Sequence, residues 1–465
     1  MNQRMKPILL LLIAISFLSA QIPARADVTD IEVKNILQDR IDRAKRGVGI
    51  VVGLVDEKGT RVITYGKPSQ DSKAALDGNS VFEIGSVTKV FTATLLADMV
   101  ERGEVSLNDP ISKYLPRTVK TPTRDGKEIT LLDLATQTSG LPRLPTNFAP
   151  KDPQNPYADY SVDQMYAFLS GYSMTRGIGE KYEYSNFGVG LLGHILALRA
   201  GTDYETLVRK RITQPLGMSD TKIKLTPEMM ARLATGHNPA LMSVPNWDLP
   251  TLAGAGALRS TVNDMLKFVA ANLGLTKSPL LVAMQKAHQS QRETGQPDLS
   301  IGLNWHILKK FDSEMIWHNG GTGGYRTFLG LMPSKKVAVV VMTNSGGAGS
   351  DDIGMHLLNP ALPLAPAPTP KKQRTAIELA PAALERYVGT YQLVIGLALD
   401  VTLEAGKLFV QPAGQPKFRL LPETESDFFV NEVDAQFSFV RDAQGAVTGI
   451  VLHQGGQDVP GKKTK

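Results

Sequence analysis

The chain has 465 residues, 42% hydrophobic and 21% charged, which is the profile of a folded protein too long for a single core, so two or three domains are expected. The formal net charge is +6, but Arg4, Lys6 and Arg25 lie in an N-terminal leader whose removal leaves +3 with no Lys/Arg block, so no nucleic-acid signature is present. There is no cysteine, which excludes disulfides, a thiol nucleophile and lipid attachment to a leader cysteine.

Residues 1–26 read as a cleaved secretory signal. Arg4 and Lys6 form its basic start, Pro7 to Ala20 its apolar stretch, and Ala24-Arg25-Ala26 a small-x-small cleavage site. The alternative is a membrane anchor, for which the apolar run is short, and no later run resembles a transmembrane helix. Cleavage after Ala26 makes the protein secreted or periplasmic, held together by its core alone.

An amphipathic helix is expected over 28–47, then a buried strand over Val48–Val55 and a second over Arg61–Tyr65, turned by Glu57-Lys58-Gly59. Ser86-Val87-Thr88-Lys89 follows at the start of a helix that ends by Gly103, with Ser86 at or near the N-cap. On a helix, Ser86 and Lys89 share one face. A serine hydroxyl needs something to take its proton, and a lysine amine can do so once burial or neighbours lower its pKa. The first turn also presents free N–H groups suited to an oxyanion. The spacing alone is weak, since an N-cap serine followed by a solvated lysine is the commoner case.

Short helices are expected at Ile129–Gln137, Val162–Leu169, Phe187–Ala200 and Tyr204–Ile212, with a Pro-, Asn- and Asp-rich surface loop over 143–160. After Leu303 the period changes to strands at Met315–His318, Thr327–Met332 and Val337–Thr343, with Gly320 to Gly324 as a turn. The reading is an α+β fold: one antiparallel sheet closed by both ends of a domain at 27–358 and flanked by helices, with a mostly helical domain inserted. Asn359 to Pro370 holds five prolines in twelve residues and opens a linker over 359–376. Beyond it, six short, evenly spaced strands between Ala398 and Leu452 suggest a small meander barrel over 377–465. Asp351-Asp352 reads as a solvated turn or N-cap. The scattered histidines give no metal-ligand spacing, and the glycines no phosphate loop, so no cofactor or metal is expected.

Three elements now stand in order: Ser86-Val87-Thr88-Lys89, Tyr184-Ser185-Asn186 and His318-Asn319-Gly320. Taken singly, Tyr184 reads as a core tyrosine and Asn186 as an N-cap. Together the set resembles the serine β-lactamases of class C and their relatives among penicillin-binding proteins, D-Ala-D-Ala carboxypeptidases, D-aminopeptidases and esterases. Leu107-Asn108-Asp109-Pro110, Leu134 to Pro142, Pro215-Leu216-Gly217-Met218 and Gly323-Gly324-Tyr325 extend the resemblance over about residues 30–350. The stretch Thr138 to Arg143 is most similar to the carboxypeptidase/endopeptidase branch, and the tail is similar to a lipocalin-like domain.

The resemblance implies that Ser86 is the nucleophile of an acyl-enzyme, that Lys89 takes its proton, and that Tyr184 shares the relay as base or as donor to the leaving group. It implies that Asn186 bonds Lys89 and the substrate amide, and that the N–H groups of Ser86 and Gly321 form the oxyanion hole beside Gly320. Two positions depart from the pattern. His318 stands where β-lactamases and carboxypeptidases have lysine; it is expected to be mostly neutral, to donate a hydrogen bond still, and to attract a substrate carboxylate less. Gln137 stands where many relatives carry histidine, with an expected effect on packing around the site. The implied activity is hydrolysis of a small-molecule or peptide substrate (β-lactam, D-amino-acid peptide or ester). Two alternatives are a carboxylesterase with weak β-lactam turnover and a penicillin-binding sensor without turnover. The tail reads either as a lid or dimerisation module or as a spacer that binds the envelope.

Overall fold

Gly49–Asp56 is an unbroken apolar run because both of its faces are covered. Ile50, Val52 and Leu54 face a core shared with the helices Asp30–Gln38 and Asp351–Leu358, while Val51 and Val55 face the larger core around the helix Thr88–Glu101. That alternation is the two-residue period of a strand applied to a sheet buried on both sides. The computed structural model describes residues 28–464 apart from 312, 367–373, 395–396, 414–416, 432–434 and 455–456. The leader at 1–26 and part of the expected linker lie outside the described residues. No helix among the described residues is long and apolar enough to cross a membrane.

The sheet has eight antiparallel strands in the order Gly59–Gly66, Gly49–Asp56, Val337–Thr343, Arg326–Met332, Ser313–Gly321, His306–Lys310, Leu299–Ile301 and Arg292–Gln296. Both ends of the domain therefore pair side by side in one sheet, Val52 opposite Val341, as the sequence pattern suggested. Three strands, from Arg292 to Lys310, add to the five expected. They are short, and Arg292–Gln296 is mostly exposed and polar, so it carries no alternating signal. The region between the sheet halves is mostly helical. Its hub, Thr88–Glu101, is buried from Thr88 to Met99 on every side, the mark of a helix inside a core.

Asp351 and Asp352 are first-turn residues of their helix, as a cap reading would have them, but they are not solvated. Asp351 accepts from Asn319 Nδ2, and Asp352 pairs with Arg40, whose side chain is only 7% exposed. The 143–160 segment is irregular, yet Tyr157 and Tyr160 are buried in it, so it is anchored by aromatic packing rather than lying loose on the surface.

The chain divides into one unit up to Ala365 and a second from Pro366. Leu362 and Leu364, within the expected linker, pack against the first unit's core. The second unit is a closed eight-stranded antiparallel barrel. Six of its strands fall where the sequence placed them; Gly389–Leu393 and Gln457–Lys463 close the ring. The core of this unit is filled by Tyr387, Tyr391, Phe428, Phe437 and Phe439 with aliphatic neighbours, which fits the narrow bore of eight strands.

Candidate active site

Ser86 sits in a single 3-10 turn, Gly85–Val87, that feeds directly into the helix Thr88–Glu101. The turn is tight because Gly85 takes a φ of +50°, a region open to glycine at little cost. The sheet presses against it: a Cβ on Gly320 would meet Ile84 O at 2.0 Å and Ser86 N at 3.0 Å. The end of the strand Ser313–Gly321 is thus laid along the backbone of the nucleophile turn. Just upstream, Glu83 is buried, accepts from Trp247 N at 2.9 Å and pairs with Arg259 at 3.3 Å.

The second element is positioned by Gln137, which holds a φ of +61°. Its Oε1 accepts from Ser185 N at 2.7 Å, its carbonyl accepts from Glu183 N at 2.8 Å, and its Nε2 donates to Asn304 Oδ1 at 2.9 Å. Ser185 caps the helix Asn186–Arg199 by accepting from Gly188 N, so the cap is Ser185 and not Asn186. Asn186 is released as the first helical residue, with its side chain in the site.

Lys89 is fully buried, and no carboxylate lies among its contacts in the described residues. Its Nζ is 2.9 Å from Asn186 Oδ1, 2.6 Å from the Ala255 carbonyl and 3.0 Å from Ser86 Oγ. Desolvation, and then the Arg143 guanidinium, push its pKa well below the usual lysine value. In its neutral form it would give two N–H groups to Asn186 Oδ1 and the Ala255 carbonyl, which only accept, and turn its lone pair to the Ser86 hydroxyl. Tyr184 Oη lies 2.7 Å from the same Oγ. Burial pushes the Tyr184 pKa up, while the bond to Ser86 and the charge of Arg143 oppose it. The environments move the two groups in opposite directions, the lysine toward the free amine and the tyrosine toward the protonated phenol.

His318 is 1% exposed, with its ring 6.3 Å from that of Tyr184 and 5.2 Å from that of His306. Desolvation, His306 and Lys89 hold its pKa well below the ordinary histidine value, so it is neutral. Its Nδ1 is 2.6 Å from the Asn319 carbonyl. A carbonyl only accepts, so Nδ1 carries the proton and Nε2 is left as an acceptor. This corrects the expectation that His318 still donates a hydrogen bond to substrate: its one N–H is spent on its own backbone.

All seven residues picked from the sequence fall in or against one cluster: Ser86, Lys89, Tyr184 and Asn186 bonded directly, His318 beside Tyr184, and Gly320 and Gly321 against the Gly85–Ser86 backbone. Three contributors were not singled out. The Ala255 carbonyl is backbone, signalled only by the small-residue run Ala253-Gly254-Ala255-Gly256 that brings the chain close. Tyr157 Oη accepts from Asn186 Nδ2 at 3.1 Å and fixes which way that amide faces. Tyr182 Oη, 3.0 Å from His306 Nε2, sits behind His318.

A buried lysine and a tyrosine converging on one serine, set between a helical region and the end of an antiparallel sheet, define a serine hydrolase of the β-lactamase class. The family model for beta-lactamase matches residues 33–359, and the chain belongs to that family. A further model, described as a domain of unknown function (DUF3471), matches residues 373–463, the barrel. The chain is similar to the D-alanyl-D-alanine-carboxypeptidase/endopeptidase AmpH of Escherichia coli, at 32% identity over 66% of this chain and 82% of that protein. It is 25% identical to penicillin-binding protein 4* of Bacillus subtilis over 86% of this chain and 92% of that one. Among solved structures, a β-lactamase/D-alanine carboxypeptidase from Yersinia pestis superposes with a TM-score of 0.60 at 27% identity, over 68% of this chain and 93% of its own.

Proposed function

We propose that the protein is exported after cleavage behind Ala26 and hydrolyses amide, peptide or β-lactam bonds through a Ser86 acyl-enzyme. The observation that carries this reading is the convergence of two groups on Ser86 Oγ, Lys89 at 3.0 Å and Tyr184 at 2.7 Å. Neutral Lys89 takes the hydroxyl proton as Oγ attacks the carbonyl carbon. The N–H groups of Ser86 and Gly321 receive the developing oxyanion. Tyr184 returns a proton to the leaving nitrogen and is reprotonated from Lys89. Asn186 holds the amine and offers its amide to the acyl group. Water then attacks the ester with the same pair in reversed roles. The names of the relatives, a D-alanyl-D-alanine-carboxypeptidase/endopeptidase and a β-lactamase from Pseudomonas fluorescens, favour D-amino-acid peptides and β-lactams as substrates.

The carboxylesterase reading draws on His318. With no charge and no free N–H at the third element, the site loses a usual anchor for a substrate carboxylate, and neutral esters become competitive.

Intact-mass spectrometry of the protein with nitrocefin, a fluorescent penicillin and p-nitrophenyl acetate separates these readings. A β-lactam adduct that forms and clears is the expected result. A β-lactam adduct that persists would replace hydrolysis with a penicillin-binding role, and ester turnover without any β-lactam adduct would leave only the esterase.

A further inference from the structure

His318 leaves the site without a cation at its third element, yet a permanent positive charge stands nearby. Arg143 follows the Gly140-Leu141-Pro142 turn, and its backbone is fixed: the Pro142 carbonyl accepts from Ser185 Oγ at 2.6 Å, and the Arg143 carbonyl accepts from Phe187 N at 3.2 Å. The residue itself is exposed. Its Cζ lies 5.1 Å from the Tyr184 ring centroid, one aromatic ring away from the nucleophile. Among the described residues no carboxylate pairs with this guanidinium. Contact with an aromatic face leaves the N–H edges of the guanidinium open. Its field reaches into the site, where it draws down the pKa of Lys89 and opposes the upward shifts of Tyr157, Tyr182 and Tyr184.

We infer that Arg143 is the specificity-determining cation of this site and binds a carboxylate of the substrate, in place of the missing third-element lysine. A planar guanidinium takes a carboxylate through two parallel N–H bonds. An extended peptide spans about 3.5 Å per residue, so a carboxylate a residue or two from the scissile bond comes within reach. The inference rests on the Ser86 acyl-transfer reading above.

The test compares three acyl donors: p-nitrophenyl acetate, p-nitrophenyl hydrogen glutarate with a carboxylate on the acyl part, and 4-carboxyphenyl acetate with one on the leaving part. kcat and KM are measured for the wild type, Arg143→Gln and Arg143→Lys at low and high salt. In Arg143→Gln, kcat/KM for one of the anionic esters, taken relative to the neutral ester, falls about tenfold, mainly through KM. Arg143→Lys restores part of the loss, and salt weakens the wild-type preference. Both ratios unchanged within about twofold on Arg143→Gln would overturn the inference while leaving the nucleophile in place. A wild type that turns over none of the three would instead remove the acyl-transfer reading, and the inference with it.

Discussion

Lys89 is buried among acceptors with no counter-ion among the described residues, and that sets the direction of its pKa shift. An ammonium there would lose its hydration for two neutral carbonyl oxygens and a hydroxyl, which is a poor exchange. The folded-state pKa is therefore lowered, and the base is present above it. The sign for activity follows: kcat/KM rises as pH climbs through the depressed Lys89 pKa, holds, and falls only when Tyr184, with its raised pKa, ionises in strong alkali. A pH profile on a neutral ester checks this, corrected for alkaline hydrolysis. The expected acid limb ends well below the ordinary lysine value of 10.5, and a tenfold rise per pH unit that continues to about 10 would mean an ordinary ammonium. At this scale the sequence was informative because the chemistry needs particular residue types at particular spacings. It was silent on the Ala255 carbonyl, since backbone groups have no letter, and it misjudged His318, since the tautomer depends on a contact with Asn319.

The nucleophile turn and the strand Ser313–Gly321 act as one element pair. Gly85 and Gly320 are the points where the two backbones meet without a Cβ. Gly320→Ala puts a methyl group against Ile84 O and pushes the turn away from Lys89 and Tyr184. Displacing Ser86 by about 1 Å lowers kcat by about 100-fold, and overpacking lowers stability by about 1–3 kcal/mol. Ester kinetics and a denaturant titration measure the two effects; a variant with wild-type kcat would show that the contact does not set the geometry. The strand and its glycines were readable from the period change and the His318-Asn319-Gly320 pattern. The strands Arg292–Gln296, Leu299–Ile301 and His306–Lys310 were not: the first is an exposed polar edge with no two-residue hydrophobic period, and the other two offer only a few apolar residues each, too short a run to show one. Likewise the π-helical turns Asp39–Arg43 and Arg209–Thr213 at the ends of predicted helices leave no signature in residue type.

As a whole, the molecule joins a member of the β-lactamase family to a barrel with a filled core. Both units were legible as units. The first announces itself by three ordered motifs spread over more than two hundred residues. The second shows itself by short alternating strands after a run of prolines, although its closure needed the two strands at its ends. The account makes the chemistry a property of the first unit and of one side chain in it. Turnover of p-nitrophenyl acetate by the full-length protein and by Ser86→Ala, both checked for fold by circular dichroism and thermal melting, tests that claim most directly. The account predicts a loss of at least about 1,000-fold in kcat with an unchanged fold. Activity retained within a few-fold would contradict it and move the nucleophile elsewhere.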